Sequence, residues 1–147
     1  MFRRLMATSP TWFTLPLRLT LGVIFIAHGA QKVFGMWGGS GLSAFTSGNA
    51  PLGLRPAWLW LGAAAFAELI GGLLVLIGLL TRIGALAITS VMLVAIFGVH
   101  WGAFFAQSKG LEYPLALLGI ALALLIAGGG RASADEALMS GRRGRRY

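Results

Sequence analysis

Four stretches of this chain, residues 13–34, 57–80, 83–105 and 113–129, are almost wholly apolar, and each approaches or exceeds the roughly 20 residues that a helix needs to cross a bilayer. A helix satisfies its own backbone hydrogen bonds in lipid, so runs of this length predict an all-α integral membrane protein, a four-helix bundle forming a single transmembrane domain. Composition points the same way: of 147 residues 57% are hydrophobic and 11% charged, with a mean hydropathy of +0.82, beyond the range of an ordinary soluble domain. The absence of cysteine removes disulfides, thiolate metal ligands, iron–sulfur clusters and cysteine nucleophiles from consideration.

The connections are expected to differ in character. The first, Gly35 to Pro56, is a long outer loop rich in Gly, Ser and Asn, with Trp37, Phe45 and Trp58 expected at head-group depth. The second, Leu80-Thr81-Arg82, has room only for a tight turn that makes helices two and three antiparallel neighbours. The third, Ala106 to Glu112, carries Gly110 and leads to Pro114, a favourable first-turn residue for helix four. Gly128-Gly129-Gly130 is expected to end helical order ahead of a basic cytoplasmic tail, 131–147.

Placement of the basic residues argues against nucleic acid despite the formal charge of +8. With the N-terminus inside, Arg3, Arg4, Arg82, Arg131, Arg142, Arg143, Arg145 and Arg146 fall on the inner side and only Lys32, Arg55 and Lys109 on the outer. That bias predicts both termini in the cytoplasm, with the tail leaning on anionic lipids. The first apolar run exceeds a signal peptide's hydrophobic core and is read as an uncleaved span.

Against this background the polar residues inside the spans stand out. Intramembrane ionisable groups are costly and usually face protein or a cavity. At 1.5 Å per residue, His28 lies about 9 Å below the outer end of helix one and His100 about 8 Å below that of helix three, while Glu68 sits about 16 Å deep on helix two. Glu112 and Tyr113 open helix four at the outer surface. His28 and Lys32 share a helical face, with Gln31 adjoining. Glu68 shares a small-residue face with Ala64, Ala65, Gly71 and Gly72, which invites close approach by another helix. Arg18, near the inner end of helix one, is expected to snorkel to the head groups.

Taken in order, Leu17-Arg18-Leu19, His28-Gly29-Ala30-Gln31-Lys32-Val33-Phe34-Gly35, Ala67-Glu68-Leu69-Ile70-Gly71-Gly72-Leu73-Leu74, Gly78-Leu79-Leu80-Thr81-Arg82, His100, Gly102-Ala103-Phe104-Phe105 and Glu112-Tyr113-Pro114-Leu115 resemble the DoxX family of small four-helix membrane proteins, and Gly130-Arg131-Ala132-Ser133 is similar to the family's ending. The resemblance implies a multi-pass protein of the bacterial cytoplasmic (inner) membrane. It also implies quinone-linked redox chemistry with a protein partner: family members include a subunit of thiosulfate:quinone oxidoreductase and a component of an actinobacterial membrane complex with superoxide dismutase and a sulfurtransferase.

Several readings of the polar cluster stay open at this level. In one, it is structural: Glu68 pairs with Lys32 or Arg18 and the chain is a scaffold. In another, the cluster docks ubiquinone or menaquinone as part of an oxidoreductase. His28, His100, Gln31 and Lys32 then donate hydrogen bonds to the quinone carbonyls while Glu68 accepts or relays protons, which makes Glu68, His28 and His100 the candidate catalytic residues; Glu112 and Tyr113 add polar contacts, and Phe97, Trp101 and Phe104 flank the ring. No motif would hold flavin, haem or an iron–sulfur cluster, so electrons would come from a redox partner. A third reading places a metal on the two histidines with Glu68 or Glu112, or a haem between the histidines, although Lys32 repels a cation. Transport would require a homo-oligomer to form a path.

Overall fold

The computed structural model describes Met6 and residues 8–141. Arg3, Arg4, Arg142, Arg143, Arg145 and Arg146, counted above for orientation, lie outside the described residues. The structure is all-α: α1 (Thr14–Phe34), a short α2 (Gly41–Thr46), α3 (Ala57–Ile77), α4 (Thr81–Ala95), α5 (Glu112–Ala127) and α6 (Ala134–Gly141). Ala57–Ile77 and Thr81–His100 are long and apolar enough to cross a membrane, and Thr14–Phe34 with Met36–Gly53, bent by 98°, makes a third candidate. The expected fourth run, α5, has 16 residues, about 24 Å of helix against a hydrocarbon core near 30 Å.

Helix three ends earlier than its apolar run suggests. After Ala95 the backbone widens into a π turn, Ile96–His100, and the residues that follow leave the helix instead of continuing to 105. A side chain on Gly98 would meet Pro51 Cβ at 2.6 Å, so the first loop rests directly on the π turn. His100 therefore stands at the end of its helix, not a turn and a half below it.

The helices follow one another around the core: α1 packs along α3, α3 on α4, α4 on α5, and α5 returns to α1. Leu21, Phe25, Val75, Ala85, Ile88, Met92, Leu117, Ala121 and Leu124 fill the centre. Small residues set the spacing, as expected where lipid gives helices no hydrophobic reason to associate and close van der Waals contact must do it. A Cβ on Gly29 would lie 2.5 Å from the Leu69 backbone nitrogen, and one on Gly84 2.9 Å from the Gly71 carbonyl oxygen. Gly29→Val is accordingly expected to lower stability by about 3 kcal/mol through backbone displacement at the α1–α3 crossing, read as a lower midpoint in thermal or detergent-induced unfolding.

Residues 131–141 are not simply a tail. Gly128 turns the chain at φ 77°, ψ −161°, and the segment beyond it docks on the ends of the other helices. Arg131 N–H donates to Thr11 O at 3.0 Å, and Asp135 N–H to Gly78 O at 2.9 Å. The Asp135 carboxylate, 1% exposed, accepts from the backbone N–H groups of Leu80 and Thr81 and from the Thr81 hydroxyl, at 2.8–3.0 Å. It satisfies the open N–H groups at the start of α4, where a helix favours negative charge.

Arg18 corrects a second expectation. It does not snorkel: it is 2% exposed, and its guanidinium donates to four carbonyls, Val75 O at 3.0 Å, Leu76 O at 2.8 Å, Gly129 O at 3.0 Å and Ala132 O at 2.6 Å. These oxygens belong to the last turn of α3 and the turn after α5, where helical carbonyls lack intrahelical partners. Thr14 Oγ1 donates to the same Gly129 O at 3.0 Å. A positional signal was present: Arg18, Gly22, Phe25 and Gly29 recur at helical spacing on the face that α1 turns to its neighbours.

Candidate functional site

At the other end of α1, its last two turns carry His28 and Lys32 one turn apart. Glu68 lies mid-way along α3 between two close helix contacts: Gly72 abuts the α1 backbone at Ile26, and Gly71 abuts α4 at Gly84. The carboxylate is thereby held inside the protein, 3% exposed. Lys32 reaches it from α1, with Nζ 2.5 Å from both Glu68 oxygens and its side chain still 26% exposed. The Phe45 ring of α2 lies 5.3 Å from the same ammonium, a cation–π contact that ties the outer loop to the pair. Of the partners foreseen for Glu68, the structure selects Lys32.

Two cavities meet at this pair. The smaller, about 270 Å³, is lined by His28, Lys32, Glu68, His100 and Tyr113 together with apolar residues including Phe25 and Met92. The larger, about 560 Å³, runs between α3 and α4 under the outer loop and is mostly apolar. Lys32, Glu68, Ala95 and His100 line both. His28, Glu68 and His100, from three different helices, thus border one protein-lined recess.

The His100 ring is oriented. Nδ1 lies 2.6 Å from the Lys109 carbonyl oxygen, and because a carbonyl can only accept, Nδ1 carries the hydrogen and Nε2 is the nitrogen available to a ligand. The recess therefore combines an ammonium donor, a carboxylate acceptor, two imidazoles and a phenol, groups able to hold a polar ring and exchange protons with it.

The other residues singled out in the sequence lie elsewhere. Gln31 lines neither cavity, and the Gly39 backbone packs directly against it. Phe97 and Trp101 stack on each other at 5.0 Å between centroids, and Phe104 packs edge-on to Phe105 at 5.3 Å. All four rings are more than half exposed and flank neither cavity. The π turn and the bend after His100 direct that aromatic set outward. Glu112 braces the loop, accepting from Ala106 N–H at 2.9 Å. Among the described residues no group of three or more His, Asp or Glu side chains gathers to hold a metal ion.

Sequence reasoning missed Phe45, Asn49, Pro51, Leu54 and Trp60, which form the outer part of the larger cavity. Apart from the aromatics in and after the loop, no local signal marks them, because their place follows from how residues 35–56 fold back.

Comparison with known proteins gives this geometry a family. The DoxX family model matches residues 13–101, which include α1, α3, α4 and the whole Lys32–Glu68–His100 set. The chain is 40% identical over 111 residues to a Bacillus subtilis (strain 168) protein named "Putative oxidoreductase CatD", covering 76% of this chain and 77% of that one. No solved structure matches the chain. With long apolar helices, a family-model match over more than half of its length and a relative 40% identical, this chain is a multi-pass membrane protein and belongs to the DoxX family.

Proposed function

We propose that this protein is an inner-membrane subunit that docks a quinone or quinol beside the Lys32–Glu68 pair and anchors a redox partner that exchanges electrons with it. The observation that carries this reading is the recess itself: His28, Lys32, Glu68, His100 and Tyr113 border a space of about 270 Å³ that shares its Lys32, Glu68 and His100 wall with an apolar cavity of about 560 Å³. Lys32 and the imidazoles would donate to the quinone carbonyls, and Glu68 would take up or release a proton through Lys32. When bound, the quinone supplies two-electron, two-proton redox chemistry. Without cysteine the chain has no thiol or iron–sulfur route for electrons, and the CatD relative's name supports an oxidoreductase setting.

In the same reading α1, α3, α4 and α5 are four spans with both termini cytoplasmic, because the sequence carries more basic residues before α1, at the α3–α4 turn and after α5 than in the other two connections. The recess then opens in the outer half of the bilayer, and the basic tail meets anionic lipids. The partner is a separate redox protein, and nucleic acid has no part.

A scaffold role is the second reading, favoured by the complete Lys32–Glu68 ion pair, which engages both carboxylate oxygens without any ligand. His28 separates the two. It is exposed, so His28→Phe is expected to leave the unfolding midpoint unchanged while lowering the quinone recovered by organic extraction of the purified protein about tenfold, the loss of one to two hydrogen bonds to a polar ring. Equal ubiquinone or menaquinone recovery from wild type and variant, or none from either, would favour the scaffold.

A further inference from the structure

The larger cavity has a floor, a roof and a side opening. Its floor is the Gly71–Gly84 contact, where α3 and α4 come so close that a Cβ on Gly84 would lie 2.9 Å from the Gly71 carbonyl oxygen. Above that contact the facing positions are Ala63, Ala64 and Ala67 on α3 and Ala87, Ser90 and Val91 on α4, too short to close the gap between the helices. Pro51 and Leu54 of the outer loop roof the space, and Pro51 is seated on Gly98. Trp60 and Ala63 on α3 and Ser90 on α4 are all exposed, so the space opens sideways on the surface that an apolar helix pair turns to lipid. Inward, it ends on Lys32, Glu68 and His100, the wall that it shares with the smaller cavity.

An apolar slot that opens sideways and ends inward on the polar Lys32, Glu68 and His100 wall matches one ligand shape, a polar head on a linear apolar chain. Resting on the quinone reading above, we infer that the α3–α4 slot is the tail subsite: the quinone enters from the membrane between Ala63 and Ser90, its head stops at the Lys32–Glu68 pair, and its isoprenoid chain occupies the slot. Lipid itself covers the mouth, so the ligand need never pass through water. Affinity for the chain comes from apolar burial between small side chains, and specificity for the head from the ion pair.

The test uses the full-length protein in nanodiscs and a ubiquinone analogue with a ten-carbon tail bearing a photoactivatable diazirine at its end, with labelled peptides read by mass spectrometry. The tail subsite predicts labelling within residues 60–67 and 87–95 that excess unlabelled decylubiquinone competes away. Ser90→Phe at the mouth, and independently Ala64→Phe within the slot, should each reduce that labelling about tenfold, provided the variant elutes as the wild type does. Competed labelling spread over the other lipid-facing helix surfaces would overturn the tail subsite while leaving head docking intact. No competed labelling anywhere would overturn both.

Discussion

Replacing Arg18 with methionine is expected to destabilise the protein by about 3–5 kcal/mol, among the largest effects of any single substitution in the chain. The aliphatic part of the side chain survives in methionine, so the loss isolates the guanidinium. Four carbonyls lose their shared donor, those of Val75 and Gly129 in buried hydrogen bonds and those of Leu76 and Ala132 in partly buried ones. Water does not replace it readily at a position 2% exposed, and an unsatisfied buried carbonyl costs about 1–3 kcal/mol. Helix ends with free carbonyls relax in part, which keeps the total below the sum. Arg18→Lys should recover less than half of the loss. A single ammonium cannot reproduce a planar fork that reaches oxygens on two separate segments. Thermal unfolding of wild type, Arg18→Met and Arg18→Lys checks the ordering. Limited proteolysis within 131–141 should rise in parallel, because Arg18 holds the turn that leads into α6. A lysine variant as stable as wild type would refute the fork argument.

The second large effect concerns Lys32 and Glu68. Lys32→Met leaves a carboxylate at 3% exposure without its counter-ion, and Glu68→Leu leaves an ammonium facing an apolar wall. Breaking a buried ion pair from one side costs about 3–5 kcal/mol. Partial exposure of Lys32 lets its ammonium turn toward the head groups, so the expected costs are about 3 kcal/mol for Lys32→Met and about 1–2 kcal/mol for Glu68→Leu. The double variant should be more stable than Lys32→Met alone, because no unpaired charge remains. A double-mutant cycle in detergent-induced unfolding measures the coupling. The double variant also bears on function. On the proposed quinone reading it is expected to fold and yet to yield about tenfold less extractable quinone than wild type, whereas a purely structural pair would leave extraction unchanged.

Much of this architecture was legible because its causes are local. Apolar length marks α1, α3 and α4 directly, since a helix in lipid must be long and must satisfy its own backbone. The helical repeat puts His28 and Lys32 on one face of α1, and the repeat that joins Glu68 to Gly71 and Gly72 placed the carboxylate on a face turned toward protein. The Lys32 partner was legible as one of two options, because both basic residues lie on the helix that packs against α3.

Other features depended on residues far apart in the chain. The end of α4 at His100 reflects a π turn supported by Pro51 from the outer loop, and this shift sends Phe97, Trp101 and Phe104 to the surface. Arg18 reads in the sequence as a snorkelling charge because charge near a span end usually is one, and Asp135 falls within the segment read as a basic tail. Each is buried because its partners, free carbonyls on α3 and after α5 for one and the open N-terminus of α4 for the other, are brought to it by helix packing.

By itself the sequence determined that this chain enters a membrane as helices, which residues must avoid lipid, and the family to which it belongs. All three follow from composition and short-range periodicity acting within single segments. Only the tertiary structure decided which charges pair, that two cavities share the Lys32–Glu68 wall, and that the last described helix docks on the others. Those outcomes depend on the distances at which glycine and alanine let different helices meet, and no single segment encodes such a distance.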